Sequence, residues 1–408
     1  MVYIIKKYKK ILKDFFYSVV AYALPTFVLQ FIVQPLIANG TSADENGLFV
    51  TLFNVVKLTI SIFILPLANL RLLNKKECEI NNNINSFFNC LFNFVLFFSM
   101  LLGTVLNIMY RHKSLNFLDI VSLCLLIILM SIHDYFSISF RIAINYKKII
   151  IDNLLIILGY GIGAIFFIYF GRWECIFISG YLFGTIYVLI NTKIWKSWPI
   201  FKNENNLIKQ YSELSTSYVL SNISIYCDRL IIYPVLGGYA VSVYNAAAVV
   251  SKAISLISAP LRNVLLSYIV NNEKLTIKKS KIIRYLPLLL CGIIFIFLFF
   301  WGFSIIACTF LYPKYVSAAK LYIPFIIVSI MLETIAGIMN VVLLRYAKTK
   351  IQTIISAIKL VVYLISVIVL SIIFKFGLWG FCFAVLLASI AHIIAVTYIL
   401  KKNINLID

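Results

Sequence analysis

The chain has 408 residues, 62% of them hydrophobic and only 12% charged, with 36 Lys and Arg against 15 Asp and Glu for a net charge of +21. A soluble domain is about half apolar and a quarter charged, so a water-soluble enzyme is excluded. The basic residues cluster in short loops between apolar runs, which is a pattern of membrane topology and not of a nucleic-acid patch.

In chain order, the start "KKYKKILK" and the triplet Ala21-Tyr22-Ala23 mimic a signal peptide. The apolar stretch between them is too short for one, and the run continues to Ala38. It reads as a first, retained span. Runs of about 20 apolar residues, enough to cross the hydrocarbon, then recur to the end of the chain. Twelve spans are predicted: 15–37, 47–70, 87–109, 116–139, 149–170, 173–193, 215–236, 239–266, 285–310, 321–344, 351–374 and 379–400. With both termini cytoplasmic, the inside segments hold 25 Lys and Arg and the outside loops 6. That bias sets the orientation.

The two halves resemble each other. "KLTISIFILPLANLRLL" (57–73) matches "KAISLISAPLRNVLL" (252–266), "FRIA" (140–143) matches "LRYA" (344–347), and "FGRW" (170–173) matches "FGLW" (376–379). Matched spans run in the same direction, a parallel repeat of the kind found in transporters. The expected architecture is therefore all-α and integral to the membrane. It has two pseudo-symmetric six-helix bundles, 1–194 and 215–408, joined by a cytoplasmic linker, 195–214.

Five cations lie within the spans: Lys57, Arg229, Lys252, Arg262 and Lys359. Asp134, Asp228 and Glu333 are the acids at that depth. Each costs roughly 2.5–3.5 kcal/mol against lipid, so all should face the protein interior, pair, or line a wet cavity. Span 7 aligns Ser217, Ser221, Ser224 and Asp228 on one face, with Arg229 on the next. Asp228 is expected to pair with Lys252 or Lys359, and Arg229 to face the cavity. Span 10 aligns Glu333, Gly337 and Asn340. Lys57 and Lys252 are duplicated and mid-span, which favours a binding role. Arg262 sits where it can snorkel, and Lys359 is open to either reading. Glu333 is a paired structural acid or a proton acceptor. Asp134 beside His133 is expected at a solvated helix end. The cations exceed the acids by two, so a cationic cavity is expected.

Eight cysteines without a C-x-x-C pair and three scattered histidines suggest neither a disulfide framework nor a metal site. No nucleotide-binding or zinc-protease motif is present. No cofactor is expected beyond a coupling ion, H+ or Na+.

The stretch "DRLIIYPVLGGYAVSVYNAAAVVSKAISLISAPL" (228–261) resembles the Wzx-type polysaccharide flippases of the multidrug/oligosaccharidyl-lipid/polysaccharide exporter superfamily. The matching residues are Asp228-Arg229, the Gly-Gly turn, Tyr244 to Ala247, and Pro260. The resemblance implies a V-shaped pair of bundles around a central cavity in the bacterial inner membrane. It implies transport, not enzyme chemistry, with an undecaprenyl-diphosphate-linked oligosaccharide moved to the outer leaflet for O-antigen or capsule assembly. Lys57, Arg229, Lys252 and Lys359 would bind that substrate, while Asp228 and Glu333 would couple an ion or form structural pairs. Membrane lipids, a polysaccharide polymerase and glycosyltransferases are the implied partners, and nucleic acid is not. Two alternatives are a cation-coupled multidrug antiporter of the same superfamily and an integral-membrane glycosyltransferase or polymerase. The net basic cavity counts against the first, and the two-half repeat and short outside loops against the second.

The topology has a direct test. Single cysteines at Asn203 and Gly238 in a cysteine-free background should react with impermeant maleimide from opposite membrane faces. Reaction from the same face would overturn the twelve-span arrangement.

Overall fold

A computed structural model of the chain describes residues 23–111, 116–143, 145–192, 195, 197–199, 204–249, 254, 279–346 and 349–404. The described regular structure is helical. The main helices are α1 (Ala23–Gly40), α2 (Ala43–Leu73), α3 (Asn82–Arg111), α4 (Phe117–Phe136), α5 (Tyr146–Phe170), α6 (Glu174–Asn191) and α7 (Asn205–Leu236). They continue with α8 (Gly238–Ala247), α9 (Lys279–Leu311), α10 (Ile323–Tyr346), α11 (Thr349–Val367) and α12 (Leu378–Ile404). Short helices follow α2, α4 and α9, and α11 runs on into a π-helical turn at Ile368–Ile373.

Ten of these helices are long and apolar enough to cross a bilayer, so this is a multi-pass membrane protein. Of the remaining two expected spans, the eighth is described as a helix only over Gly238–Ala247. The ninth shows a shorter apolar stretch, Phe295–Leu311. Twelve spans stay the sequence-based expectation. The chain divides into two compact units, Met1–Leu230 and Ile231–Asp408, so it passes from one to the other inside α7. Helix α7 begins at Asn205, so ten residues assigned to the linker are helical. The linker lacks any proline or glycine after Pro199 that would stop a helix there.

In unit 1 the closest packing is between α5 and α6. Glycines make it possible. A Cβ on Gly159 would lie 2.6 Å from Gly180 Cα, and one on Gly163 would lie 2.5 Å from Ile176 Cα. Aromatic rings fill the adjoining space: Phe53 stacks on Phe177 at 4.2 Å, with Phe49 and Trp173 around them. One end of the unit carries an ion network. Arg111 at the end of α3 reaches Asp119 at 3.2 Å and Glu174 at 2.7 Å, and Arg172 also bonds Asp119. Asp119 caps the start of α4 as well. At the other end Arg71, only 2% exposed, donates to Tyr135 at 2.7 Å, Asn85 at 2.7 Å and Asn89 at 3.1 Å. Asn89 in turn donates to the Ser197 carbonyl, which holds the linker against this unit.

In unit 2, α12 packs against both α10 and α11 around Leu343, Ile355, Val396 and Leu400. The Phe-Gly-x-Trp match between the halves has a structural counterpart. Gly171 and Gly377 both adopt left-handed conformations, with φ of 69° and 58°, which glycine tolerates without strain. Each opens a helix led by tryptophan. Trp173 packs on Phe177 and Trp379 on Phe383, each four residues further on. The "PLRN" partner of the Pro66 motif lies outside the described residues.

The glycine contact predicts an ordered result. Gly159→Ala and Gly163→Ala force backbones apart and should each cost about 1–3 kcal/mol, read as a lower melting temperature of the purified protein. Gly161, with nothing within 4 Å of a Cβ, should tolerate alanine within about 0.5 kcal/mol.

Candidate functional site: a charged cavity in the first unit

Unit 1 encloses a cavity of about 300 Å³ bordered by α1, α2, α4, α5 and α6. Lys57 enters it from α2. Its Nζ lies 4.7 Å from the centre of the Phe53 ring, one turn earlier on the same helix, a cation–π distance. Among the described residues no carboxylate stands within ion-pair distance of this lysine.

The opposite wall is acidic. His133 of α4 lies between two carboxylates: its Nδ1 is 3.0 Å from Asp134 and its Nε2 is 2.9 Å from Asp152 of α5. The His133 and Asp152 side chains are 9% and 4% exposed, and Asp134 is 29% exposed. One oxygen of Asp152, Oδ1, is buried with no hydrogen-bond partner among the described residues. Tyr160 and Tyr181 complete the wall where α5 meets α6, and Gly184 leaves room beside the His133 ring. The cavity therefore holds an ammonium with no close carboxylate, an unfilled carboxylate oxygen and a histidine bridging two acids. Such a set can hold an anionic group at the lysine. It can also exchange protons or a small cation at the acids.

Two expectations change here. Asp134 stands in the last turn of α4 and is partly exposed, as expected of a helix end, but it is also tied to His133, which is buried and shared with Asp152. Asp152 was not counted among the membrane-depth acids, and it reduces the expected excess of cations by one. Its signal was present in the sequence: an acid directly after three isoleucines at the start of an apolar run, beside Asn153.

The other predicted residues are distributed elsewhere. Arg229 bonds its neighbour Asp228, with Nη1 at 2.9 Å from Oδ1 and 2.8 Å from Oδ2. The two diverge at Cβ, but the long arginine side chain folds back along the helix. Asp228 thus has a partner on its own helix, besides the cross-helix lysine expected for it. Lys359 of α11 instead bonds Glu333 of α10 at 3.0 Å. His392 of α12 lies 3.2 Å from both Glu333 oxygens and 3.3 Å from Asn340. The face shared by Glu333 and Asn340 is thus real, and α12 supplies its partner. Lys252 and Arg262 lie outside the described residues. No group of three or more metal-ligating side chains occurs among the described residues.

No family model and no curated protein matches the chain. Solved structures do. A lipid II flippase, MurJ, in an inward closed conformation aligns with a TM-score of 0.67 at 15% identity, over 94% of this chain and 87% of that one. The fold is that of the MurJ and MATE transporters. An inward-facing multidrug resistance MATE family transporter of the MOP superfamily aligns at 0.64 and 12% identity, over 95% of this chain and 98% of that one. The eukaryotic MATE transporter AtDTX14 aligns at 0.61 and 14% identity, over 96% and 95%.

The histidine bridge makes a stability prediction. His133→Ala strands two acids at once and should cost roughly 3–5 kcal/mol, seen as loss of abundance and of thermal stability. Asp134→Ala removes only the more exposed partner and should cost clearly less. Equal losses would mean that Asp152 does not depend on the histidine.

Proposed function

We propose that the chain is a flippase for an anionic lipid-linked oligosaccharide of the undecaprenyl-diphosphate type. It carries the repeat unit from the cytoplasmic to the outer leaflet of a bacterial inner membrane for O-antigen or capsule assembly. The observation that carries this reading is Lys57, an intramembrane cation that faces a cavity and has no carboxylate within ion-pair distance among the described residues. A lysine left so at membrane depth is costly, and an anionic ligand group offsets that cost. The fold likeness to a lipid II flippase over nearly the whole chain supports the same reading. Arg229 and Lys359 contribute less to diphosphate binding in this view, since each already bonds an acid. Lys252 is its natural second cation by the repeat. No covalent step is required of the protein, and polymerase and glycosyltransferases act before and after it.

The second reading, a cation-coupled multidrug antiporter, is favoured by Asp134 and Asp152 in the same cavity and by the MATE likenesses. One experiment separates the two. Proteoliposomes containing the protein and a fluorescent polyprenyl-diphosphate oligosaccharide should move the lipid to the leaflet where an impermeant quencher reaches it. Lys57→Ala should slow this at least tenfold, and Lys57→Arg should keep part of it, since charge persists while geometry changes. Transport of an organic cation driven by a proton or sodium gradient, with no lipid movement and no effect of Lys57→Ala, would favour the antiporter and overturn the flippase.

A further inference from the structure

Proline at position 66 has no N–H, so the carbonyl of Ile62, four residues earlier in α2, loses its helical donor, and the Phe63 carbonyl stands next to it. Both carbonyls are occupied from outside. Ser215 Oγ of α7 donates to the Ile62 carbonyl at 3.0 Å, and the Tyr211 hydroxyl donates to the Phe63 carbonyl at 3.0 Å. One turn further, Asn69 Nδ2 donates to the Tyr218 hydroxyl at 2.5 Å, and Arg141 donates to Asn69 Oδ1 at 3.5 Å. The "PLAN" motif of α2 is thus a docking notch for one face of α7.

The same device recurs with the roles exchanged. Pro234 releases the Leu230 carbonyl of α7, and the Tyr110 hydroxyl of α3 donates to it at 2.9 Å. These carbonyl contacts matter because, among the described residues, the half of α7 that begins at Asn205 buries few side chains. Leu207 and Cys227 are buried, but no side chain from 208 to 226 is. Ser212, Glu213, Thr216, Ser217 and Ser221 are exposed. The outer half differs, with Cys227 and Ile232 buried.

We propose that the cytoplasmic half of α7 is a releasable strap, clasped to α2 at the carbonyl that Pro66 sets free and at its neighbour, and that it undocks and redocks in each transport cycle. Only the last clause rests on the flippase reading. A hydroxyl-to-carbonyl clasp suits such a part. It fixes position and direction, breaks without exposing a large apolar face, and leaves carbonyls that water can satisfy at the cytoplasmic end. The chain leaves unit 1 inside this same helix, so the clasp governs how firmly the connecting segment is held.

Amide hydrogen exchange of the full-length protein in lipid nanodiscs tests the clasp without any transport. Amides of residues 208–224 should exchange at least tenfold faster than those of α2 and α5. Tyr211→Phe combined with Ser215→Ala should raise that rate by about another tenfold. Pro66→Ala should do the same although it leaves α7 untouched, because the new N–H takes the Ile62 carbonyl back. Protection of 208–224 equal to that of α2, or no change in both variants, would overturn the strap. A second arm locks it. Asn69→Cys with Tyr218→Cys in a cysteine-free chain, joined by a short cleavable thiol cross-linker, should cut lipid movement at least tenfold and recover on cleavage. Full transport by the completely cross-linked protein would overturn release during the cycle. A chain that shows the expected exchange yet moves no lipid-linked oligosaccharide in any form supports the strap and overturns the flippase reading alone.

Discussion

A polar group carried into hydrocarbon must find its partner inside the protein, because no water is there to supply one. Leaving a buried donor or acceptor unmade costs about 1–3 kcal/mol, whereas making it gains only about 0.5–1.5. The arrangement of unit 1 follows from that asymmetry. The Ile62 carbonyl freed by Pro66 and its neighbour at Phe63 draw in two hydroxyls of α7. The buried guanidinium of Arg71 draws together α2, α3 and α4 and, through Asn89, the linker. The acid Asp119 at the opposite end from Arg71 serves two arginines while capping its own helix. Helices that share no hydrophobic driving force in lipid are here selected by which unpaired groups they can satisfy.

The same accounting sorts the charges. Asp228 with Arg229, Glu333 with Lys359 and His392, and His133 with two aspartates are each matched within a few ångströms. Matched pairs of this kind gain little net stability, since desolvation offsets most of the attraction. Their value is positional: each joins two helices or fixes one side chain's direction. Lys57 departs from the pattern. It is held by its own helix against a phenyl ring, faces a cavity, and has no acid within ion-pair distance among the described residues. A site that leaves one charge without a close partner keeps attraction for something that arrives later, which is why the functional reading rests there and not on the more numerous pairs.

The cavity also depends on a packing detail far from any charge. Gly159, Gly163, Gly180 and Gly184 let α5 and α6 approach until backbone meets backbone. That approach brings Tyr160 and Tyr181 together and leaves the His133 ring room beside Gly184. The two small-xxx-small spacings, "GYGIG" and "GYLFG", were legible in the sequence as a helix-pairing signal. They say nothing about which polar residues the pairing will face, so the site they build was not legible with them.

Composition, run length and the charge of the loops determined by themselves that the chain is an all-helical membrane protein, since those properties depend only on the cost of crossing hydrocarbon. The repeat was also readable, and at Gly171 and Gly377 it corresponds to the same backbone turn, because a left-handed turn selects glycine locally. Helical periodicity placed Glu333 and Asn340 on one face for the same local reason. Partners were decided only by the tertiary structure. Asp228 turned to the adjacent Arg229, Lys359 to Glu333, and His133 to Asp152, nineteen residues away on another helix. Periodicity fixes the direction in which a side chain leaves its helix, but not which helix stands opposite, how far a long side chain folds back, or which carbonyl a distant proline has left open.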